Sequence, residues 1–225
     1  RNEMLEILDK NKCCGCAACY SSCAHKAIKM QLDQEGFEYP VIDQNLCVDC
    51  GLCQTVCPVL QYDNRQETRL ANNDVQLGFV ARNKNFQQRL ISSSGSLFPP
   101  IAEWILDQGG IVVGAAFDAD WNVHQKIVET KEELVQLQGS KYLQCKSDDI
   151  TFPTIRRKLM EERKVLYAGM ACQVEGLKSY LKEDYENLYT IDLICMGIPS
   201  YSVWQKYLSS FFPGEKVKHV NFKEK

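Results

Sequence analysis

No apolar run in this chain reaches the ~20 residues that a membrane-spanning helix needs, so no membrane span is expected. An excess of charge of either sign is also lacking. The formal net charge is −3, which gives no electrostatic support for binding nucleic acid or an anionic lipid surface. The patterns GxGxxG and GxxxxGK[ST] are missing, and with them a standard dinucleotide fold and a nucleoside triphosphatase. Histidine is rare: His25, His124 and His219 share no spacing that a metal site or a catalytic pair requires, and they read as structural. The opening residues RNEMLEILDK lack the basic-then-apolar order of a secretion leader. In a chain with 12 cysteines this implies a reducing cytoplasm, where thiols serve as ligands rather than disulfides. The chain starts at Arg1 rather than Met and ends in VKHVNFKEK, which reads as a strand with no closing element. It therefore reads as a fragment of a longer protein.

What is abundant is cysteine, and it is concentrated. Nine of the 12 lie in the first 57 residues. Eight of these write one pattern, C-x2-C-x2-C-x3-C, twice: Cys13, Cys16, Cys19, Cys23, then Cys47, Cys50, Cys53, Cys57. Each cysteine of the second copy follows its counterpart by 34 residues. This is the ligand run of a bacterial ferredoxin with two [4Fe-4S] clusters, in which the fourth cysteine of each motif serves the other cluster. Carried onto this chain, one cluster takes Cys13, Cys16, Cys19 and Cys57, and the other takes Cys47, Cys50, Cys53 and Cys23. Gly15, Gly51, Ala17 and Ala18 are small enough for backbone amides to approach the sulfurs. Pro58 follows the last cysteine as the pattern expects, while Ala24 stands at the equivalent place in the first copy. Structural zinc is the alternative for paired C-x2-C motifs. It does not call for a third and a fourth cysteine repeated in register. Cys14 lies off the pattern and reads as a bystander beside the cluster. Between the motifs, AIKMQL and FEYPVI read as a hairpin around DQEG.

The expected organisation is an α+β ferredoxin-like two-cluster domain at 1–60, a linker at 61–76, and an α/β domain with a mixed or largely parallel sheet at 77–225. Strands are expected at LGFVAR, IVVGAAFD, NVHQKIVET, KVLYAGM and LYTIDLIC. Helices are expected through LFPPIAEWILDQ, KEELVQLQ, DDITFPTIRRKLMEERK, ACQVEGLKSYL and YSVWQKYLSSFF. Thr130 and Glu133 form a capping box for the second of these. Trp104, Trp121 and Trp204 read as core, and the run Arg156 to Lys158 as a solvated helix face. Three segments fall between a strand or loop and a following helix, where ligands settle in such sheets: SSSGS (92–96), GMACQ (169–173) and CMGIPS (195–200).

Taken in order, SSSGS, GGIVVGAAFD, LQGSKYLQ, KVLYAGMACQVEGLKSYL and YTIDLICMGIPS resemble the coenzyme F-420 hydrogenase/dehydrogenase beta-subunit family, from about Lys12 to the end. The resemblance implies a flavoprotein that passes electrons between iron–sulfur clusters and FAD, and on to a small-molecule substrate or a partner subunit. It places Ser94, Gly95, Ser140, Lys141, Tyr142, Gly169 and Gln173 near the cofactor. The chain departs from the family's GTPCQ at GMACQ, has Met196 where the family has histidine, and has Ser96 where the family has a second glycine. The lost histidine bears on use of the deazaflavin more than on flavin binding. Cys145, Cys172 and Cys195 read as buried thiols, as lining of a route to the flavin, or as three ligands of a third cluster short of a fourth. Two rival functions accompany the flavoprotein. One is a non-enzymatic electron carrier whose α/β domain docks a redox partner; the other is a scaffold with structural metal.

Overall fold

The structure is a computed structural model and describes residues 9–62, 77–146 and 148–222. Most of the expected linker, 63–76, lies outside the described residues. Among them no helix is long and apolar enough to cross a membrane.

The two cysteine motifs carry one short helix each, α1 (Ala18–Ser22) and α2 (Leu52–Thr55). The backbone repeats with the sequence. Positions 15 and 49 hold φ of +64° and +53°, and positions 17 and 51 hold +63° and +71°. The equivalent residues differ in type (Gly and Asp, Ala and Gly), so the shared left-handed turns belong to the motif. Such turns aim successive amides into one concavity. Between the motifs, β1 (Ile28–Leu32) and β2 (Glu38–Ile42) pair antiparallel, with Met30 opposite Pro40.

The remainder is an α/β layer built on a five-stranded mixed sheet. Its strands are β3 (Ile111–Phe117), β4 (Val123–Val128), β5 (Cys145–Lys146), β6 (Val165–Met170) and β7 (Leu188–Leu193), in spatial order β5-β4-β3-β6-β7. Only the β3–β4 pair is antiparallel. The carboxyl ends of β3, β6 and β7 therefore share one end of the sheet with the first residues of β4 and β5. Strand alternation sorts the side chains into two layers. Ile111, Val113, Val165 and Tyr167 face helices α5 (Thr151–Met160) and α6 (Ala171–Leu181). Val112, Ala116 and Leu166 face α4 (Phe98–Leu106) and a 3-10 turn at Glu133–Leu137. Helix α3 (Phe86–Ile91), not foreseen, is capped by Asn85, whose side chain accepts from the Gln88 N–H. The last helix, α7 (Tyr201–Phe211), is capped by Ser200.

The cysteine-bearing segment is fused to this layer. Ala18 and Val56, both 0 % exposed, belong to the same apolar core as Phe152, Ile155 and Leu177. Buried Gln144 acts as a surrogate strand for the hairpin: its carbonyl accepts from Glu38 N–H at 2.8 Å, and its amide donates to Glu38 O at 3.2 Å. The Ser200 hydroxyl donates to Glu35 O at 2.5 Å, and Tyr201 N–H donates to Gly36 O. Gly36 holds φ +83°, and a Cβ there would collide with the Ser202 side chain, so the turn admits only glycine. Each unit covers apolar surface and backbone groups that the other would otherwise expose.

Several expectations fail for tertiary reasons. LGFVAR forms no strand: residues 77–83 carry no regular secondary structure and pair with no strand, leaving Phe79 and Val80 exposed. The tail forms no strand over 217–222. Instead Val220 and Phe222 fold back onto Trp204 and Leu143. KEELVQLQ makes only a 3-10 turn, although Glu133 N–H does donate to Thr130 Oγ1. Trp104 is 47 % exposed, with Lys164 over its ring. Arg156 and Arg157 are exposed as expected, and Lys158 pairs with Glu161.

Candidate functional site

The structure gathers the eight motif cysteines into two groups of four. A cavity of about 350 Å³ is lined by Cys13, Cys16, Cys19 and Cys57, with Met30, Tyr39 and Val59 among its apolar walls. A second, about 60 Å³, is lined by Cys23, Cys47, Cys50 and Cys53. Each group takes three cysteines from one motif and the fourth from the other. The reason is local. Each short helix carries its own fourth cysteine past its C-terminal end, toward the neighbouring motif.

The thiols and their amides are arranged for a charged inorganic group. Cys13, Cys16 and Cys19 accept backbone hydrogen bonds from Gly15, Ala18 and Tyr20. Cys23 Sγ accepts from Ala27 N–H at 3.3 Å. Burial raises the Cys13 and Cys53 thiols above their ordinary range. Burial, then the neighbouring thiolates of Cys13 and Cys57, push the Cys19 thiol up to about 12. A bare set of thiolates is thus unfavourable here, and positive charge among the sulfurs is what the site needs. A single zinc ion, with Zn–S near ~2.3 Å, would draw four sulfurs almost into contact. Among the described residues no three or more His, Cys, Asp or Glu side chains converge that tightly. The first cavity, about 350 Å³, has room for a body larger than one ion. Cys57 is 8 % exposed, while Cys50 is exposed. The first site therefore lies inward, against the α/β layer, and the second toward solvent. His25, expected to be structural, borders the second site.

The contact between the first site and α6 was not foreseen from the sequence. Gly176, buried in that helix, sits where an added Cβ would lie 2.8 Å from Cys16 Cβ and 3.0 Å from its Sγ. A glycine inside an otherwise regular helical pattern was the available signal. Gln144 carried no comparable mark.

The residues expected at a flavin fall into two groups at one end of the sheet. Ser93 and Ser140 share a hydroxyl hydrogen bond of 2.7 Å, joining the 92–96 loop to residues 138–142. Gly95 is packed so that a Cβ would meet Ala81 O at 2.5 Å, and Ser94 is exposed beside it. Lys141 donates to Gln138 O at 2.8 Å and lies over the Phe117 ring. Two buried polar atoms without a partner, Ser92 Oγ and Gln138 Oε1, flank this loop pair. They are the type of group that a phosphate or ribityl chain would satisfy. Gly169 and Gln173 form the second group. Gln173 Oε1 accepts from Met170 N–H at 3.0 Å, closing the start of α6, while its amide contacts the Cys145 thiol. Cys145 also lies near Lys141, which links the two groups. Tyr142 makes a T-shaped ring contact with Phe222 and is still 49 % exposed. Met196 is 99 % exposed.

Burial pulls Lys141 from 10.5 to about 8. The folded chain therefore gives up this proton more readily than the unfolded chain. Below about pH 8 both states carry the charge and the desolvation cost is present in full. Between about pH 8 and 10.5 the folded state sheds it and stability rises. Lys141→Met is expected to stabilise the flavin-free chain at pH 7 by roughly 1–3 kcal/mol, discounted for partial exposure, and to flatten that rise. Urea unfolding at pH 7 and pH 9.5 checks both.

Known proteins resemble the chain along the same division. Residues 12–60 match the family described as 4Fe-4S dicluster domain. Residues 162–225 match the family that describes the C terminus of the coenzyme F420 hydrogenase/dehydrogenase beta subunit. No curated protein matches the chain. Among solved structures the chain is similar to one in the F420-reducing [NiFe] hydrogenase complex from Methanosarcina barkeri. Identity there is 19 %, the TM-score is 0.47, and the match covers 66 % of this chain. The chain spans 57 % of the length of that relative. The chain is thus similar to 4Fe-4S dicluster domains over its cysteine-bearing residues 12–60, and to the C terminus of the coenzyme F420 hydrogenase/dehydrogenase beta subunit over residues 162–225.

Proposed function

We propose that the chain is the iron–sulfur flavoprotein part of an oxidoreductase. Its two cysteine groups each hold a [4Fe-4S] cluster, and its α/β layer holds FAD at the carboxyl end of the sheet. The observation that carries this is the order of sites in space. The outer cysteine group faces solvent, the inner group touches α6 through Cys16 and Gly176, and the start of α6 carries Gln173 beside Cys145 and Lys141. A protein redox partner meets the outer group. Ser93, Ser140 and Lys141 hold the anionic part of the flavin, and the small-molecule substrate approaches from the strand ends. Bound flavin takes or gives two electrons as a hydride and exchanges them singly with clusters. The protein's share is to orient the ring, exclude water and balance charge. Lys141, already reluctant to stay charged, gains a favourable partner when an anion binds beside it. Met196 offers no proton where the family has histidine. Substrate protonation therefore rests on other groups, and a hydride acceptor other than the deazaflavin fits this chain better.

Anaerobic purification followed by iron, sulfide, zinc and flavin assays tests the proposal. About eight irons per chain are expected, with FAD present or taken up on addition, and FAD binding weakened about ten-fold or more in Lys141→Met. Iron without flavin uptake would leave the electron-carrier function, and stoichiometric zinc would overturn both.

A further inference from the structure

The formal net charge of −3 conceals a segregation along the chain. Residues 30–64 hold six acidic side chains and no Lys or Arg. Residues 75–102 hold Arg82, Lys84 and Arg89 and no Asp or Glu. The second stretch is also where apolar side chains stay uncovered. Helix α4 has two apolar faces. Ala102 and Ile105 cover the sheet. Leu97, Ile101 and Trp104, spaced i, i+4, i+7, form the other face, and all three are exposed. Phe86 and Leu90, one turn apart on α3, are exposed as well. Side-chain hydrogen bonds make this one surface. Asn83 donates to Gln88 Oε1 at 2.6 Å, and Gln88 donates to Glu103 Oε1 at 2.6 Å, which ties residue 83 to both helices. Just before it, Phe79 and Val80 are 83 % and 107 % exposed, as open as in an unfolded chain. Arg82 and Lys84 are exposed beside them. The two carboxylates at α4 are engaged, Glu103 by Gln88 and Asp107 by Lys131.

We propose that this surface docks on an anionic lipid bilayer, with Phe79 and Val80 entering the acyl boundary and Arg82 and Lys84 meeting the headgroups. A fluid interface accepts a projecting apolar pair without a matched pocket. Cations within a few residues of that pair reach headgroup phosphates. Trp104, with Lys164 over its ring at 4.6 Å, supplies the amphipathic ring and the long-stemmed cation that interfaces favour. A second copy of this chain fits less well, because a two-fold contact would set Arg82 and Lys84 against their own equivalents. The docking is peripheral, since among the described residues no helix is long and apolar enough to cross a membrane. Loop 92–96, which joins α3 to α4, would then lie at the bilayer surface. The contact needs neither cluster nor flavin.

The full chain, purified anaerobically, would be sedimented with vesicles of phosphatidylcholine alone or mixed with phosphatidylglycerol. Binding to the mixed vesicles is expected, about ten-fold or more weaker on phosphatidylcholine alone and weakened by added salt. Tryptophan emission should shift to the blue on binding. Phe79→Ser/Val80→Ser should weaken binding by about ten-fold or more. Arg82→Gln/Lys84→Gln should abolish the preference for phosphatidylglycerol. All four side chains are exposed, so iron content and Tm should match the parent chain. No sedimentation with mixed vesicles would overturn the proposal, as would equal binding by the parent and Phe79→Ser/Val80→Ser chains. Light scattering across protein concentrations tests the rival occupant. A dimer that Phe79→Ser/Val80→Ser dissolves, without vesicle binding by the parent, would assign the surface to a second copy instead.

Discussion

The double variant Cys23→Ala/Cys47→Ala should keep about half of the iron, and Cys13→Ala/Cys23→Ala should lose nearly all of it. Both remove two motif cysteines, so simple damage predicts equal losses. The geometry separates them. Cys23 and Cys47 line the same cavity, whereas Cys13 and Cys23 line different ones. If each motif held its own cluster, the outcome would reverse. About four irons per chain in the first variant and close to none in the second would establish the crossed arrangement. Iron and sulfide analysis gives the count. Electron paramagnetic resonance of the reduced first variant should show one cluster without the coupling of a pair. Folding should suffer more in the second, because crossed ligation ties the two halves of a segment with little core of its own.

Gly176→Ala should destabilise the protein, although it improves the helix. Alanine is the better helix former by roughly 1 kcal/mol, and an exposed site would gain by that amount. Here the new Cβ lands 2.8 Å from Cys16 Cβ, 3.0 Å from its Sγ and 3.2 Å from its backbone oxygen. Two of these three atoms are in or next to the backbone, and in the proposed holoprotein the sulfur is fixed to a cluster. The overpacking cost of about 1–3 kcal/mol should win, lowering Tm by roughly 2–10 °C. Gly176→Val should cost more and release iron from the inner site first. The control is Gly139→Ala, where an added Cβ meets nothing within 4 Å but φ is +80°. It should cost stability without loss of iron. A rise in Tm for Gly176→Ala would show that the cysteine loop yields and that contact with α6 does not fix the cluster.

Sequence by itself determined the chemistry of the first 60 residues and most of the element order. A 34-residue register of eight cysteines has few other physical uses, and strand alternation with helix caps is local information. The helix through residues 171–181 was legible to the residue, because strand, glycine and capping glutamine follow one another directly. Tertiary structure decided what local pattern cannot encode. LGFVAR has the residues of a strand but no neighbour to pair with, and without a ladder no strand forms. Tyr142 meets Phe222, far along the chain, in a T-shaped contact that no local pattern announces. Ser96 holds a φ of +57°, and buried packing and the hydroxyl bond to Gln88 O keep it there. The grip of Gln144 on Glu38 and the seat of Gly176 on Cys16 join residues far apart in the chain. Periodicity is blind to such pairs. They exist because the cluster-bearing segment and the sheet bury one continuous core, and that burial, rather than any motif, sets the inner site against the helix it faces.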